Sequence, residues 1–264
     1  MKFERRGSCT VLAHMHHRGP LRVQKILYPE TPARAEVLLL HPPSGIAGGD
    51  QLHFDIDIEA QSQLRVTTPG AAKWYRSGGA QASQTLRLQV ADGAVLEWLP
   101  QEAIVYDDAR IQVRTQLACT RKARICGWDL WMLGRKASGE DFRSGYLHQV
   151  TELRRDDRLL WMERSRLDAT DALRASPLGW NGARALGSLW ALGLPADDSL
   201  LQACREIEEP GVALGITRFE HGLWLARALS ESVERARQAL TRIWQLLRPA
   251  LCGGGADLPR IWAT

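Results

Sequence analysis

From Gln51 to Glu59 apolar and polar side chains alternate without a break, and no other stretch constrains the fold as tightly. Leu52, Phe54, Ile56 and Ile58 take one face of an extended segment, while His53, Asp55, Asp57 and Glu59 take the other. A helix would scatter both sets around its axis, so the segment is a half-buried strand with a solvated outer face. Similar signals recur at short intervals. Leu64 to Thr68 stops at Pro69-Gly70, Gln84 to Val90 at Asp92-Gly93, Val95 to Leu99 at Pro100, and Gln101 to Tyr106 at Asp107-Asp108. Ile111 to Leu117 alternates again, with Arg110, Gln112, Arg114 and Gln116 facing water. Arg124 to Leu133 reads as strand material broken by Gly127 and ended by Gly134, and Tyr146 to Leu167 as a hairpin about Asp156-Asp157. Residues 8 to 28 read as two short strands around His17-Arg-Gly-Pro20. The class is therefore mainly β: an elongated body of many short strands in stacked sheets, β-helix-like or sandwich-like, with few helices.

The last third adds those helices. Asp197 to Glu208 reads as a short helix, and Gly211 to Arg218 with Gly222 to Leu229 as a late strand pair. A longer helix is predicted from Ser230 as N-cap, with Val233, Ala236, Leu240, Ile243, Trp244 and Leu247 at helical spacing. Glu231 and Arg235 form an i,i+4 pair in that pattern, and Pro249 is expected to end it. The glycine-rich tail closes on Ile261-Trp262, an apolar end suited to packing. Neither an internal repeat nor a low-complexity linker divides the chain, so residues 1–264 read as one domain.

Composition narrows the function. The 34 Lys+Arg against 30 Asp+Glu leave a net charge of +4, too small and too evenly spread for a nucleic-acid surface. No apolar run approaches the roughly 20 residues that span a bilayer. Met1 to Gly7 turns polar at once, as a secretory leader does not. Five cysteines without a Cys-x-x-Cys suit reduced thiols, and the expected location is the cytoplasm. Ten Trp against four Phe and four Tyr point to half-buried or interfacial indoles.

The candidate chemistry centres on His41-Pro-Pro-Ser-Gly-Ile-Ala-Gly-Gly-Asp50, a shaped loop expected between two strands, with an imidazole and a carboxylate at its ends. Ser44 follows two prolines rather than a strand-to-helix elbow, and Gly253-Gly254-Gly255 lacks the Lys of a phosphate loop. His14 and His16 share a strand face but find no third ligand nearby in sequence; Cys119 and Cys126 read as core thiols. Glu97 and Glu102 flank Trp98-Leu-Pro-Gln101 as a possible carboxylate pair across a turn. From residues alone, no enzyme is indicated, and two readings stay open. One is a metal-dependent hydrolase using His41 and Asp50; the other is a β-rich binding module with a Glu97/Glu102 face.

Four blocks in order carry a resemblance. His41 to Asp50 resembles the HPPGGxxGGD block of the urease accessory protein UreD (UreH) family, and Thr67 to Ser77 its TTPxxxKxYRS, with Pro69, Tyr75 and Arg76 in place. Leu96 to Glu102 is similar to its LEWLPQE, including Pro100 and Gln101, and Leu133 to Glu140 to its LGRxASGE, including Gly134, Arg135 and Gly139. Leu247-Arg248-Pro249 and Pro259-Arg260-Ile261-Trp262-Ala263-Thr264 resemble the family's close. Ser44 and Asp108 stand where Gly is usual, and Lys136 where Pro is frequent. The resemblance implies a predominantly β, non-enzymatic assembly factor. Such a protein binds UreF, reaches UreG through UreF, touches apo-urease, and helps deliver nickel without holding a tight cofactor. It implies a transient Ni²⁺ route through His41, Asp50, Glu97, Glu102 and Glu140, with Gly45, Gly48 and Gly49 shaping the loop. It also implies partner contacts at Arg248, Pro249, Arg260 and Trp262.

Overall fold

The computed structural model describes residues 1–263; Thr264, the last residue of the closing sequence block, lies outside them. The chain opens with strands β1 (Lys2–Arg6), β2 (Cys9–His14) and β3 (Arg22–Leu27) and then winds in coils. The first coil is β4 (Arg34–Leu40), β5 (Gly45–Ile46) and β6 (Gln51–Ile58). The second is β7 (Gln63–Thr67), β8 (Ala72–Trp74) and β9 (Ala82–Val90), and the third β10 (Val95–Leu99), β11 (Ala103–Val105) and β12 (Ala109–Cys119). A fourth runs through β13 (Arg124–Leu133), a 3-10 turn at Lys136–Ser138, and β14 (Gly145–Arg155). Each coil stacks on the last in parallel register. Arg34 lies beside Gln63, Gln63 beside Val95, and Val95 beside Arg124. On the opposite wall Gln51, Ser83, Gln112 and His148 line up the same way. The repeat is real in space although no sequence repeat announces it, because a coil needs only its buried pattern and turns, not its identities.

Antiparallel strands finish both sheets. Strand β15 (Arg158–Asp168) folds back on β14 as the hairpin expected about Asp156-Asp157, and β16 (Ala185–Leu192) runs antiparallel to β13. After helix α1 (Asp198–Arg205), the hairpin β17 (Val212–Arg218) and β18 (Trp224–Ser230) extends the same sheet. Helix α2 (Val233–Cys252) and a 3-10 turn at Arg260–Ala263 end the chain. The result is a seven-stranded sheet facing an eleven-stranded one. Strand β16 escapes the alternation test because Leu189, Trp190, Ala191 and Leu192 are all buried, and strands covered on both faces read as apolar runs. Gly127 does not break β13. A Cβ there would lie 2.3 Å from the Trp190 ring, so the glycine lets two strands carry an indole between them.

Two layers of core follow. Phe3, Ile56, Leu88, Leu96 and Trp98 pack between the sheets, while Val95, Leu99, Trp128 and Leu189 turn outward onto α2. The α2 N-cap is Ser232, whose Oγ accepts from the Arg235 amide at 3.4 Å; Ser230 instead ends β18 and donates its hydroxyl to the Gly211 carbonyl at 2.8 Å. The Glu231–Arg235 pair is replaced by an Arg235 bond to the Pro210 carbonyl and a Lys136–Glu231 approach. Pro249 sits inside the helix rather than ending it. The turn runs on to Cys252, and Gly253, in the left-handed region at φ 67°, donates to the Pro249 carbonyl.

Charge locks α2 to the coils. Arg65 of β7 donates through Nη1 to Glu36 at 2.9 Å and through Nε to Glu97 at 3.3 Å. Arg248 of α2 donates through Nε to Glu97 Oε1 at 2.9 Å, and Trp244 Nε1 reaches the same oxygen at 2.7 Å. Glu30 receives Arg34, Arg65 and Arg248, and Arg34 also donates to the Cys252 carbonyl at 2.9 Å. Three carboxylates thus face three guanidiniums, with Arg65 at 2%, Glu97 at 1% and Arg248 at 0% exposure. A neutral set is stable in such a place, whereas removal of one member strands its partners. Glu97→Ala is expected to cost about 3–5 kcal/mol in chemical denaturation, because Arg65, Arg248 and the Trp244 N–H lose their common acceptor. A loss under 1 kcal/mol would show that the network does not hold the helix.

Candidate functional site

The loop from His41 to Asp50 is not wholly irregular: Gly45 and Ile46 pair in parallel with Lys73 and Trp74, so β5 is the corner strand of the first coil. Two glycines are dictated by contact. A Cβ on Gly45 would fall 2.1 Å from the Tyr75 ring, and one on Gly48 2.2 Å from the Ser77 carbonyl oxygen. Gly49 takes φ 91° and donates to the Gln81 carbonyl at 3.1 Å. Ser44 and Asp108, both non-glycine at positions where the family pattern has Gly, take φ 71° and 58°. The glycine-requiring turns are kept, at some conformational cost. Asp50 closes the loop: its Oδ2 accepts from the Ala47 amide at 2.8 Å and its own amide donates to the Ala47 carbonyl. Burial holds the His41 imidazole below its usual range, against a weaker pull upward from Asp50. At neutral pH His41 is therefore a neutral ring with a lone pair.

The loop forms one lip of a cavity of about 550 Å³ between the sheets. Ser44, Pro69, Gly70 and Ala72 are exposed at its rim, and Leu39, Leu52, Trp98 and Trp131 are buried at its floor. Asp129 of β13 lines it too, a carboxylate that no sequence motif singled out. Its Oδ2 accepts from Gln149 Nε2 at 2.8 Å, and Gln149 Oε1 accepts from Trp131 Nε1 at 3.1 Å. Burial, with a smaller push from Glu163 and against the Gln149 bond, raises its pKa to about 6. The available signal was a lone acid in the run Ile125 to Leu133.

The other sequence candidates fall elsewhere. Glu97 faces α2 and has both oxygens occupied by arginines and Trp244. Glu102 lies 3.5 Å from Arg237, eleven residues before the Arg248 that holds Glu97. At 1.5 Å per helical residue those anchors are about 16 Å apart, so the two glutamates are not a facing pair. Glu140 is clasped by Arg135 and accepts from the Asp107 amide at 2.7 Å, and the Arg135 hydrogen bond, opposed by burial, holds it below the usual carboxylate range. Arg135 in turn lies 4.1 Å over the Tyr106 ring, which meets Tyr75 edge-on at 5.1 Å. Gly134 and Gly139, both at positive φ, bracket that turn. Gln101 is buried under Arg237, and the Pro100 carbonyl accepts from Trp128 Nε1 at 2.8 Å. Arg76, Pro249 and Arg260 are exposed, but Arg248 is wholly buried in the ion network and offers no surface to a partner. Trp262 docks on Trp128 and Trp244 and donates to Thr67 Oγ1 at 2.9 Å. Among the described residues no three His, Cys, Asp or Glu side chains gather as a metal cage. The sequence blocks thus build walls and corners, while His41 and Asp129, with Lys73 and Ser44 at the lip, bring polar chemistry to the cavity, and Asp50 stands beside it.

Coil, cavity and clasped loops define a β-solenoid scaffold around an internal pocket. The family model described as UreD urease accessory protein matches residues 1–263, and the chain belongs to that family. It is 46% identical over 269 residues to the urease accessory protein UreD of Dechloromonas aromatica (strain RCB), with 99% of this chain and 92% of that protein covered. The namesake in Pseudomonas aeruginosa (strain PAO1) is 45% identical, covering 100% and 93%, and that of Nitrosococcus oceani 45%, covering 97% and 86%. These relatives are named as accessory proteins to an enzyme rather than as enzymes. No helix among the described residues is long and apolar enough to cross a membrane.

Two outcomes test the geometry. Gly48→Val drives a Cβ into the Ser77 carbonyl oxygen and is expected to lower stability by at least about 2 kcal/mol, read from a denaturation midpoint. Asp129 binds its proton more readily folded than unfolded, so its cost is absent at acid pH and grows as pH rises from about 4 through about 6. Asp129→Asn should therefore gain on the parent chain between pH 4 and 7.5 by on the order of 2 kcal/mol. A difference that does not change with pH would contradict a strained carboxylate.

Proposed function

We propose that the chain is a non-enzymatic scaffold for urease maturation that acts in the cytoplasm. It holds apo-urease to UreF and, through UreF, to UreG, and Ni²⁺ crosses it on the way to the urease active site. Nickel is cargo here, not a resident cofactor. A carrier must release the ion, so it needs few and exchangeable oxygen or imidazole ligands rather than a closed thiolate or imidazole set. The observation that carries this reading is the cavity between the sheets, with His41 neutral at its lip and the Asp129 carboxylate inside, and no competing arginine on either. Asp50 positions the lip beside His41. Glu97 and Glu140, clasped by arginines, and Glu102, beside Arg237, hold the walls of the route and leave the metal contacts to His41, Asp50 and Asp129. The exposed Pro249 and Arg260 supply the partner-facing end, while Trp262, docked on Trp128 and Trp244, and the buried Arg248 serve it from within by fixing the tail and α2.

Co-expression with the urease subunits and the remaining accessory proteins tests this directly. Urease activity and nickel per active site are expected to appear with the chain and to vanish without it. Asp50→Ala and Asp129→Ala should each lower both several-fold while the assembly still co-purifies. Failure to bind the partners or to support activation overturns the scaffold, and full nickel loading with either variant removes that residue from the route.

A further inference from the structure

Nickel passage accounts for His41 and Asp129 but not for the rest of the cavity. Leu39, Ile46, Leu52, Phe54, Trp98 and Leu130 converge on one open space of about 550 Å³. Such a volume lies within the roughly 300–1,000 Å³ of small-molecule pockets, and apolar walls with a few placed polar groups are their usual lining. Water against those walls is unfavourable, and an apolar occupant would release it.

Charge orients that occupant. Lys73 lines the cavity on its exposed side, and its Nζ donates to Ser44 Oγ at 3.3 Å, so an ammonium and a hydroxyl stand together at the lip. The cavity's one carboxylate, Asp129, is far from them. Lys73 lies in register with Ile104, and Ile104 with Met132, three residues beyond Asp129. Two strand spacings across and three residues along put the Lys73 and Asp129 backbones on the order of 14 Å apart. An anionic head is drawn to the Lys73 lip and repelled from the Asp129 end, which leaves the apolar floor to a hydrocarbon chain.

We propose that this cavity binds a single-chain anionic amphiphile of the medium-chain carboxylate class, head at Lys73 and Ser44, chain against Leu52, Phe54 and Trp98. Because the occupant fills the space between His41 and Asp129, it closes the channel to ions; that consequence, unlike the binding, rests on the nickel-route reading above.

Calorimetric titration of the full chain with dodecanoate tests the site, with displacement of anilinonaphthalene sulfonate as a second readout. One saturable site per chain is expected below the concentration at which dodecanoate forms micelles. Lys73→Glu should weaken it at least about tenfold and Lys73→Arg far less, and dodecyltrimethylammonium should not compete. Leu52→Trp, which fills the floor, should abolish binding. Absence of a saturable site in the parent chain, or unchanged affinity in Lys73→Glu, overturns the proposal. Lys73→Glu keeps the test valid should Leu52→Trp fail to fold. In the urease activation assay, dodecanoate at saturating concentration should lower nickel loading where dodecyltrimethylammonium does not. Binding without that loss leaves the site standing and removes this cavity from the nickel route.

Discussion

Glu97 is the point on which the two halves of the molecule turn. It sits on a strand that is buried on both faces, and its carboxylate collects a guanidinium from the coils, a guanidinium from α2 and an indole N–H from the same helix. Isolated, any one of these charges would be expelled from the interior; together with Glu30, Glu36 and Arg34 they cancel. Apolar packing alone would let α2 slide along the sheet. Directional bonds from Arg248 and Trp244 to one carboxylate fix its height, and with it the turn at Gly253 that leads the tail back to Thr67.

That network changes the meaning of the acidic residues in the sequence blocks. An acid in a recognisable motif invites a chemical role, yet Glu97 and Glu140 are bound by arginine and serve as fasteners. The residue with an unsettled charge is Asp129, held by a neutral amide and raised toward neutrality by its surroundings. On the proposed nickel route, a carboxylate that has no cation partner is the better place to meet a passing one.

Much of the fold was legible because one sheet face is wet. Strands β6, β9 and β12 alternate cleanly, and the hairpin at Asp156-Asp157 announces its own turn. Strands β10 and β16, covered on both sides, lack that rhythm, and β1 pairs in parallel with a partner more than fifty residues away. The parallel order of the coils was not legible at all, since register between distant strands leaves no local trace. Helix boundaries failed where a tertiary bond outranked a local preference. Ser230 looked like a cap, but its hydroxyl was spent on Gly211, and Pro249 looked like a stop inside a helix that packing continues. The loop at 41–50 was visible from its glycines, whereas the cavity behind it required Trp98, Leu52 and Asp129 to be brought together from three coils.

The antiparallel strands at the sheet ends bear on how such a body behaves in a crowd. A stack of parallel coils presents, at its first and last rung, an open template for one more rung from another copy. Here β3 closes one end of the larger sheet and β16, β18 and β17 the other, while β2 and β15 reverse direction at the ends of the smaller. A copy arriving with a parallel rung meets strands of the wrong polarity, with Arg158, Arg164 and Arg166 exposed along β15. The solenoid is thereby a finite object, whose ends offer no matching rung for growth into a fibre of itself.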